Sequence, residues 1–255
     1  RLVLSIPLGC GAIATIILGF GAIGLLHGAA LWAAVLVPGI ASWRQLPRIT
    51  AGLGEVLPML EGWSAPSGSL ARVIAWSVVL LLLLGALPPT TDWDSLMYHL
   101  EVPGEFLKAG RILVPEDNLH VAFVGLWHML YLPFLVIGSS IAPALLNAAC
   151  ALLLGIAVLV IGARLFDRSS AVLAFIALWG SSGIILVSAT PRIDVVLAYC
   201  LLLVTYVLIS AAEERRPEKL VTAAMLAGVA LGMKYHALLF LAALLPVAVW
   251  AFGRL

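Results

Sequence analysis

Asp92 and Asp94 stand two residues apart in the stretch Pro88–Leu100, PPTTDWDSLMYHL, with Tyr98 and His99 just behind them. A carboxylate can take a proton from a hydroxyl, and two carboxylates with an imidazole can hold a divalent cation. In a helix, side chains two apart diverge; in an extended turn they point the same way. Asp92 and Asp94 therefore read as candidates for a general base. With His99 or His120 as a further ligand they also read as a cation site. An N-cap role suits Asp92 equally well. From Asp94 onward, helical periodicity puts Trp93, Leu96, Met97 and Leu100 on one side. Asp94, Tyr98, Glu101, Glu105 and Lys108 fall on the other. Pro103 suits a first turn and Gly110 a C-terminal stop. Such an amphipathic helix fits a membrane interface, its apolar face toward lipid or protein. A solvated loop helix whose acids only face water would carry the same pattern.

Two further places hold charge between apolar runs. Arg192 and Asp194 share the short turn Thr190–Asp194, where they neutralise each other or mark a membrane boundary. Lys234 follows GVALGM, precedes Tyr235 and His236, and has no acid near it in sequence. A lysine between two apolar helices needs a partner or a water-filled cavity. The phosphate of a lipid-linked substrate, the acidic loop, or the membrane surface would each serve. Trp127 and His128 read as packing or interface residues. Cys10, Cys150 and Cys200 lie far apart in apolar runs and suit neither a metal site nor a disulfide framework.

The elements that must position these residues are membrane spans. The 255-residue chain is 63% hydrophobic and 11% charged, whereas a soluble domain carries roughly 25% charged residues. Net charge is +1, which offers no electrostatic case for nucleic acid. Expected spans are residues 2–26, 73–87, 142–163, 171–189 and 195–212, with a shorter returning run at 29–43. Residues 44–72 read as a connecting loop with a surface helix, and 88–122 as a long polar loop. The last 36 residues split at Met233–His236 into two short helices. The chain lacks an initiator Met and stops directly after a hydrophobic run, so a fragment of a longer protein is expected. Basic residues at Arg44/Arg48/Arg72, Arg164/Arg168, Arg215/Arg216/Lys219 and Arg254 mark the cytoplasmic side. The acidic loop, the Arg192 turn and Lys234 then face outward. That assignment needs an odd number of spans between Pro88 and Arg164. Residues 123–137 must then lie on, or dip into, the outer face without crossing.

Four stretches resemble one family of membrane enzymes. They are DWDSLMYH after a span, ALLNAACALLLGIAVLVIGARLF, PRIDVVLAYCLLLVTYVL and AGVALGMKYHALLFLAALLP. In order and spacing they are similar to the GT-C glycosyltransferases. The similarity is to the bacterial branch related to protein mannosyltransferases and to the aminoarabinose transferase of lipid A. It runs from about Val73 to Arg254. It implies an all-α, polytopic transmembrane bundle with an outer-face loop carrying amphipathic juxtamembrane helices. A two-span region at 1–72 would precede a core at 73–255, whose first outer loop is 88–141. The resemblance implies a sugar donor on a polyprenyl phosphate and a glycan, lipid or protein acceptor. By position, Asp94 would be the general base, with Asp92 as the alternative. Ser95 stands where related members carry a second acid, which puts any paired-carboxylate role in doubt. Lys234 and Arg192 would offset the donor phosphate, with Tyr98, His99 and Tyr235 lining the substrate site. The one cofactor considered is a divalent cation, which Asp92, Asp94 and His99 would hold; the sequence does not decide whether it is needed.

The expected function is thus sugar transfer at the outward face of a bacterial inner membrane, among membrane lipids. The alternative is a multi-span transporter or flippase of a polar or lipid-linked solute, which would concentrate polar residues near the bilayer midplane. A non-catalytic membrane scaffold is the third reading.

Overall fold

A computed structural model of the chain describes residues 2–45, 47, 50, 51, 54, 66–114 and 125–253. Every regular element among the described residues is helical. Helix α1 (Leu2–Ala22) and α2 (Gly28–Ala41) form an N-terminal hairpin, and α3 (Pro66–Ala86) follows. A π-helical turn (Ser95–Leu100) runs into α4 (Glu101–Ala109). A 3-10 turn (Leu126–Tyr131) runs into the short α5 (Leu132–Val136). Then come α6 (Ile141–Leu165), α7 (Arg168–Trp179), α8 (Ser182–Ser188), α9 (Asp194–Glu214) and α10 (Glu218–Leu231). Two short helices, α11 (His236–Ala243) and α12 (Leu245–Gly253), close the described chain.

Length and apolarity pick out four spans: α1, α3, α6 and α9. At 1.5 Å per residue, about 20 residues cover a hydrocarbon core of about 30 Å. The expected span at 171–189 is instead two helices bent by 72°. Its break falls in Gly180-Ser181, where Ser181 turns extended (ψ 109°). Glycine and serine favour helix ends over helix interiors, so the local sequence yields there. Residues 126–136 form an apolar piece of 11 residues, too short to cross. One long helix, α6, therefore joins the acidic loop to Arg164. Most of the expected surface helix at 44–72, together with Arg48, Glu116, Asp117, His120 and Arg254, lies outside the described residues.

The bundle packs through small residues. At Gly162 of α6, an added Cβ would come within 3.0 Å of the Ala171 Cα in α7. Close backbone approach of this kind is how helices associate in lipid, where apolar burial alone gives no drive. The lipid-facing side of α3 carries Trp76, Leu80, Leu81 and Leu84, all exposed. The N-terminal hairpin is part of the same bundle: Ala14, Ile17, Leu26 and Leu31 are buried in one cluster with Phe106, Trp127 and Val196. The opposite end from the acidic loop is held by a closed polar knot. Arg164 pairs with Glu214 and bonds Tyr206, and Lys219 bonds Glu214 at 2.7 Å and Ser210 at 2.7 Å.

Because backbone cannot move aside as a side-chain tip can, Gly162→Leu must push α6 and α7 apart. We expect a loss of stability of about 1–3 kcal/mol, read as a lowered thermal midpoint in detergent. An unchanged midpoint would show that this contact does not hold the pair.

Candidate functional site

The residues singled out by sequence converge at one end of the bundle. The segment starts after α3, where Asp92 caps the next turn: its Oδ1 accepts from the Ser95 amide at 3.0 Å. Pro103 then acts on the helix that follows. It has no amide to donate, and its ring crowds the carbonyl four residues back, that of His99. The backbone widens into the π turn over Ser95–Leu100 just before that point. Gly110 ends α4 in the left-handed region (φ 68°), as its position in the sequence suggests.

The helix packs by a face between the expected apolar and charged ones, and its apolar end at Trp93 and Leu96 is left open, as a lipid-facing side would be. Ser95, His99, Val102, Pro103 and Phe106 are buried, whereas Trp93 (72% exposed) and Leu96 (48%) point away from the bundle. His99 faces His128, Ser95 Oγ has no hydrogen-bond partner, and the charged stripe of Glu101 and Lys108 stays exposed. His99 Nδ1 lies 2.6 Å from His128 Nε2, and both rings are buried. Tyr98 and Tyr131 stack near them, the Tyr98 and His99 ring centroids 4.0 Å apart and those of His128 and Tyr131 5.6 Å apart. His128, expected as a packing residue, is thus hydrogen-bonded to a proposed site residue. Burial first, then nearby cations (His128, Lys234 and Arg192 for His99; Lys234 for His128), hold both histidines below their usual range, His128 at about 3. The pair is neutral at neutral pH and shares one hydrogen between its facing nitrogens. Burial, with the Asp94, Asp194 and Asp92 carboxylates, pushes the Tyr98 hydroxyl up to about 12, against a smaller opposing effect of Arg192.

Charged groups form a chain of alternating sign. Arg192 Nη2 lies 2.7 Å from Asp94 Oδ2, and its Nε lies 3.7 Å from Asp194 Oδ2. Lys234 Nζ donates to Asp194 Oδ1 at 2.6 Å. The partner that Lys234 requires is therefore Asp194, forty residues away in sequence. Arg192 makes its shorter contact with Asp94 and its longer one with Asp194. The pairs suit their helices: Asp194 opens α9, where a negative charge is favoured, and Lys234 follows the C-terminal end of α10, where a positive one is. Tyr235 is 59% exposed beside them.

Asn147, which sequence reasoning passed over, fixes the turn carrying Arg192. It is fully buried in α6, with its Nδ2 donating to the carbonyls of Thr190 (3.0 Å) and Arg192 (2.6 Å). Its Oδ1 accepts from Trp127 Nε1 at 3.3 Å and from the Tyr131 hydroxyl at 3.0 Å. The Tyr131 hydroxyl also lies 2.9 Å from the Pro191 carbonyl. The available signal was a lone amide in an otherwise apolar span, ALLNAAC, which lipid tolerates only when the amide is satisfied.

Among the described residues, five buried side-chain atoms have no hydrogen-bond partner: Asp92 Oδ2, Ser95 Oγ, His99 Nε2, Arg192 Nε and Asp194 Oδ2. All five belong to this end of the bundle. Buried polar groups are nearly always paired, so a concentration of unpaired ones marks a place built to receive polar groups. No three His, Cys, Asp or Glu side chains among the described residues gather to hold a metal ion. His99 turns to His128 instead of the carboxylates, and His120 lies outside the described residues.

A model of the family described as dolichyl-phosphate-mannose-protein mannosyltransferase matches residues 120–254. No curated protein and no solved structure matches the chain. The matched region contains His128, Asn147, Arg192, Asp194 and Lys234.

Two outcomes follow from the geometry. Asn147→Ala leaves two carbonyls and an indole N–H without their buried partner, while the Tyr131 hydroxyl keeps the Pro191 carbonyl, so we expect a loss of about 1–3 kcal/mol per group left bare, measured by thermal unfolding in detergent. An unchanged midpoint would mean that the turn is held by other contacts. Separately, depressed histidines mean that the folded state binds fewer protons than the unfolded chain. Stability is then full above the unfolded histidine value near pH ~6.5 and falls as pH drops below it. The thermal midpoint should drop on acidification below that value, and less so in His99→Phe/His128→Leu, which cannot charge. An equally flat profile in both proteins would count against the neutral pair.

Proposed function

Because this chain belongs to the dolichyl-phosphate-mannose-protein mannosyltransferase family, whose members are membrane glycosyltransferases of GT-C type, we propose that it moves a sugar from a polyprenyl-phosphate donor to an acceptor at the outer face of the membrane. The protein is an integral multi-pass membrane protein. The observation that carries the proposal is the meeting of Asp94, Arg192, Asp194 and Lys234 at one end of the spans, beside Asp92 Oδ2, Ser95 Oγ and His99 Nε2, which are buried and make no hydrogen bond.

In this reading Asp94 is the general base. Its Oδ2 is held by Arg192 at 2.7 Å. An acceptor hydroxyl placed at Oδ1 gives up its proton to Asp94 as its oxygen attacks the anomeric carbon. The bond from that carbon to the phosphate oxygen breaks, and the polyprenyl phosphate leaves with the electron pair. A phosphate leaving group needs no proton from a strong acid, so one carboxylate suffices where glycoside hydrolases use two. The sugar inverts at its anomeric carbon. Lys234 and Arg192 stand where they can turn from their carboxylates to the phosphate and stabilise the charge that develops on it. Asp92, committed to the cap of its own turn through Oδ1, is the weaker base candidate. Tyr98, His99 and Tyr235 would line the sugar or acceptor. A divalent cation, if one takes part, would have to draw on donors from the substrate. The chemistry favours a transferase over a transporter: a transporter concentrates charge near the midplane, whereas the charged pairs here fall at the helix ends.

The test supplies radiolabelled polyprenyl-phosphate sugars to membrane vesicles holding the intact protein. Wild type should pass label to an acceptor. Asp94→Asn should lose at least about 100-fold, as a missing general base does, with the protein still present at wild-type level. Lys234→Ala should weaken donor use. Full transfer by Asp94→Asn would remove Asp94 as the base, and no donor consumption by any form would turn attention to solute transport.

A further inference from the structure

The family match leaves α1 and α2 without a role, yet their connecting turn touches both outer helices. The Leu26 amide donates to the Gly110 carbonyl at 3.0 Å, and the Ile112 amide donates to the Gly21 carbonyl at 3.0 Å. These two backbone bonds tie the turn between α1 and α2 to the segment that leaves α4. Gly21 lies flat against that segment: a Cβ there would sit 2.7 Å from Ile112 Cγ1 and 2.8 Å from its Cδ1. Leu26 is buried in the cluster that holds Phe106 of α4 and Trp127. Farther along α2, the Trp32 ring meets Phe134 of α5 edge to face, centroids 6.2 Å apart, and Gly28 faces Val136 with room for a Cβ only 3.2 Å from its Cγ1. The hairpin therefore grips both the helix that carries Asp94 and the short helix that follows His128.

The helix needs such a grip. At its N-terminal end it is joined to the bundle by the Asp94–Arg192 pair, whose side chains are about one-third exposed (37% and 32%). Pairs that open to water contribute little. The face behind that pair carries Ser95 Oγ and His99 Nε2, both buried and unpaired, which costs stability. Ahead of the hairpin's hold, Tyr98 and Leu100 pack only partly buried and His99 bonds His128, whereas the fully buried apolar anchors, Val102 and Phe106, lie close to that hold.

We propose that the α1–α2 hairpin is a clamp that sets the Asp94 helix against the Arg192 turn, with Gly21, Leu26 and Ile112 as positioning residues. That the clamped carboxylate is catalytic rests on the function proposed above; the clamp itself does not. The hairpin acts through the helix end, so it alters where Asp94 stands and leaves the donor-phosphate cations in place. Its loss should therefore lower kcat more than it raises KM.

Hydrogen exchange and sugar transfer are measured on the intact protein in vesicles, for wild type, Gly21→Leu and Gly21→Leu/Ile112→Ala. The larger side chain must displace Ile112, and the second substitution makes room for it. Gly21→Leu should speed exchange of the amides of residues 95–113 by roughly tenfold or more. Amides of α6 and α9 should be unaffected, and kcat should fall. Ile112→Ala should bring both readouts back toward wild type. If Gly21→Leu does not accumulate in the membrane, Ile112→Pro, which removes the amide that donates to Gly21, takes its place. Unchanged exchange over 95–100 overturns the clamp, and so does failure of Ile112→Ala to restore exchange. If exchange responds as expected but wild type transfers no sugar, the clamp stands and the proposed function falls.

Discussion

One amide side chain sets the geometry on which the Asp94 end of this protein depends. Asn147 spends all its hydrogen-bonding capacity inside the bundle, taking two donors from Trp127 and Tyr131 and giving two hydrogens to the carbonyls of Thr190 and Arg192. Irregular backbone at the end of a membrane bundle must find its partners in protein, because lipid supplies none. The turn between α8 and α9 finds them in Asn147 and Tyr131. Its two charged side chains, Arg192 and Asp194, then leave the backbone from fixed points. Asp94 and Lys234 come to them from elsewhere in the chain.

The result is a row of charges that is neutral as a whole: two carboxylates and two cations, alternating. Neutrality lets the row sit at a low-dielectric boundary without a large desolvation cost. It also leaves the row ready to accept another charge. In the proposed reaction, a phosphate entering near Lys234 and Arg192 would compete with carboxylates already there, so its binding and the freeing of Asp94 would be linked through Arg192. The histidine pair adds polarity without charge, since burial keeps both rings neutral.

The two ends of the bundle differ in how completely their polar groups are paired. At the Arg164 end, Glu214 takes Arg164, Lys219 and Ser210, and none of these side chains is among the buried unpaired groups of the described chain. At the Asp94 end, five buried atoms go unpaired. A membrane protein holds unpaired polar groups at a cost of a few kcal/mol each. Their confinement to one end is what separates a site from a structural knot, although both ends contain acids and bases in similar numbers.

By itself, the sequence determined what hydrophobicity and local stereochemistry control. Spans near 2–22, 141–165 and 194–214 follow from apolar length. The stop at Gly110 follows from glycine's freedom at positive φ. The parity of basic loops required that the stretch before Ile137 not cross, and its helix is indeed too short to do so. That Lys234 needed a partner was equally plain from its apolar surroundings. Which partner it found was decided by tertiary structure, because Asp194 and Asp94 compete for Arg192 at distances no local pattern encodes. Periodicity alone left open which face of the Asp94 helix the bundle covers. A π turn ahead of Pro103 shifts the register, and His99 turns inward to meet His128. The role of Asn147 and the hold of the first hairpin on the segment after α4 share one cause: each depends on contacts between residues far apart in sequence, and only packing brings those together.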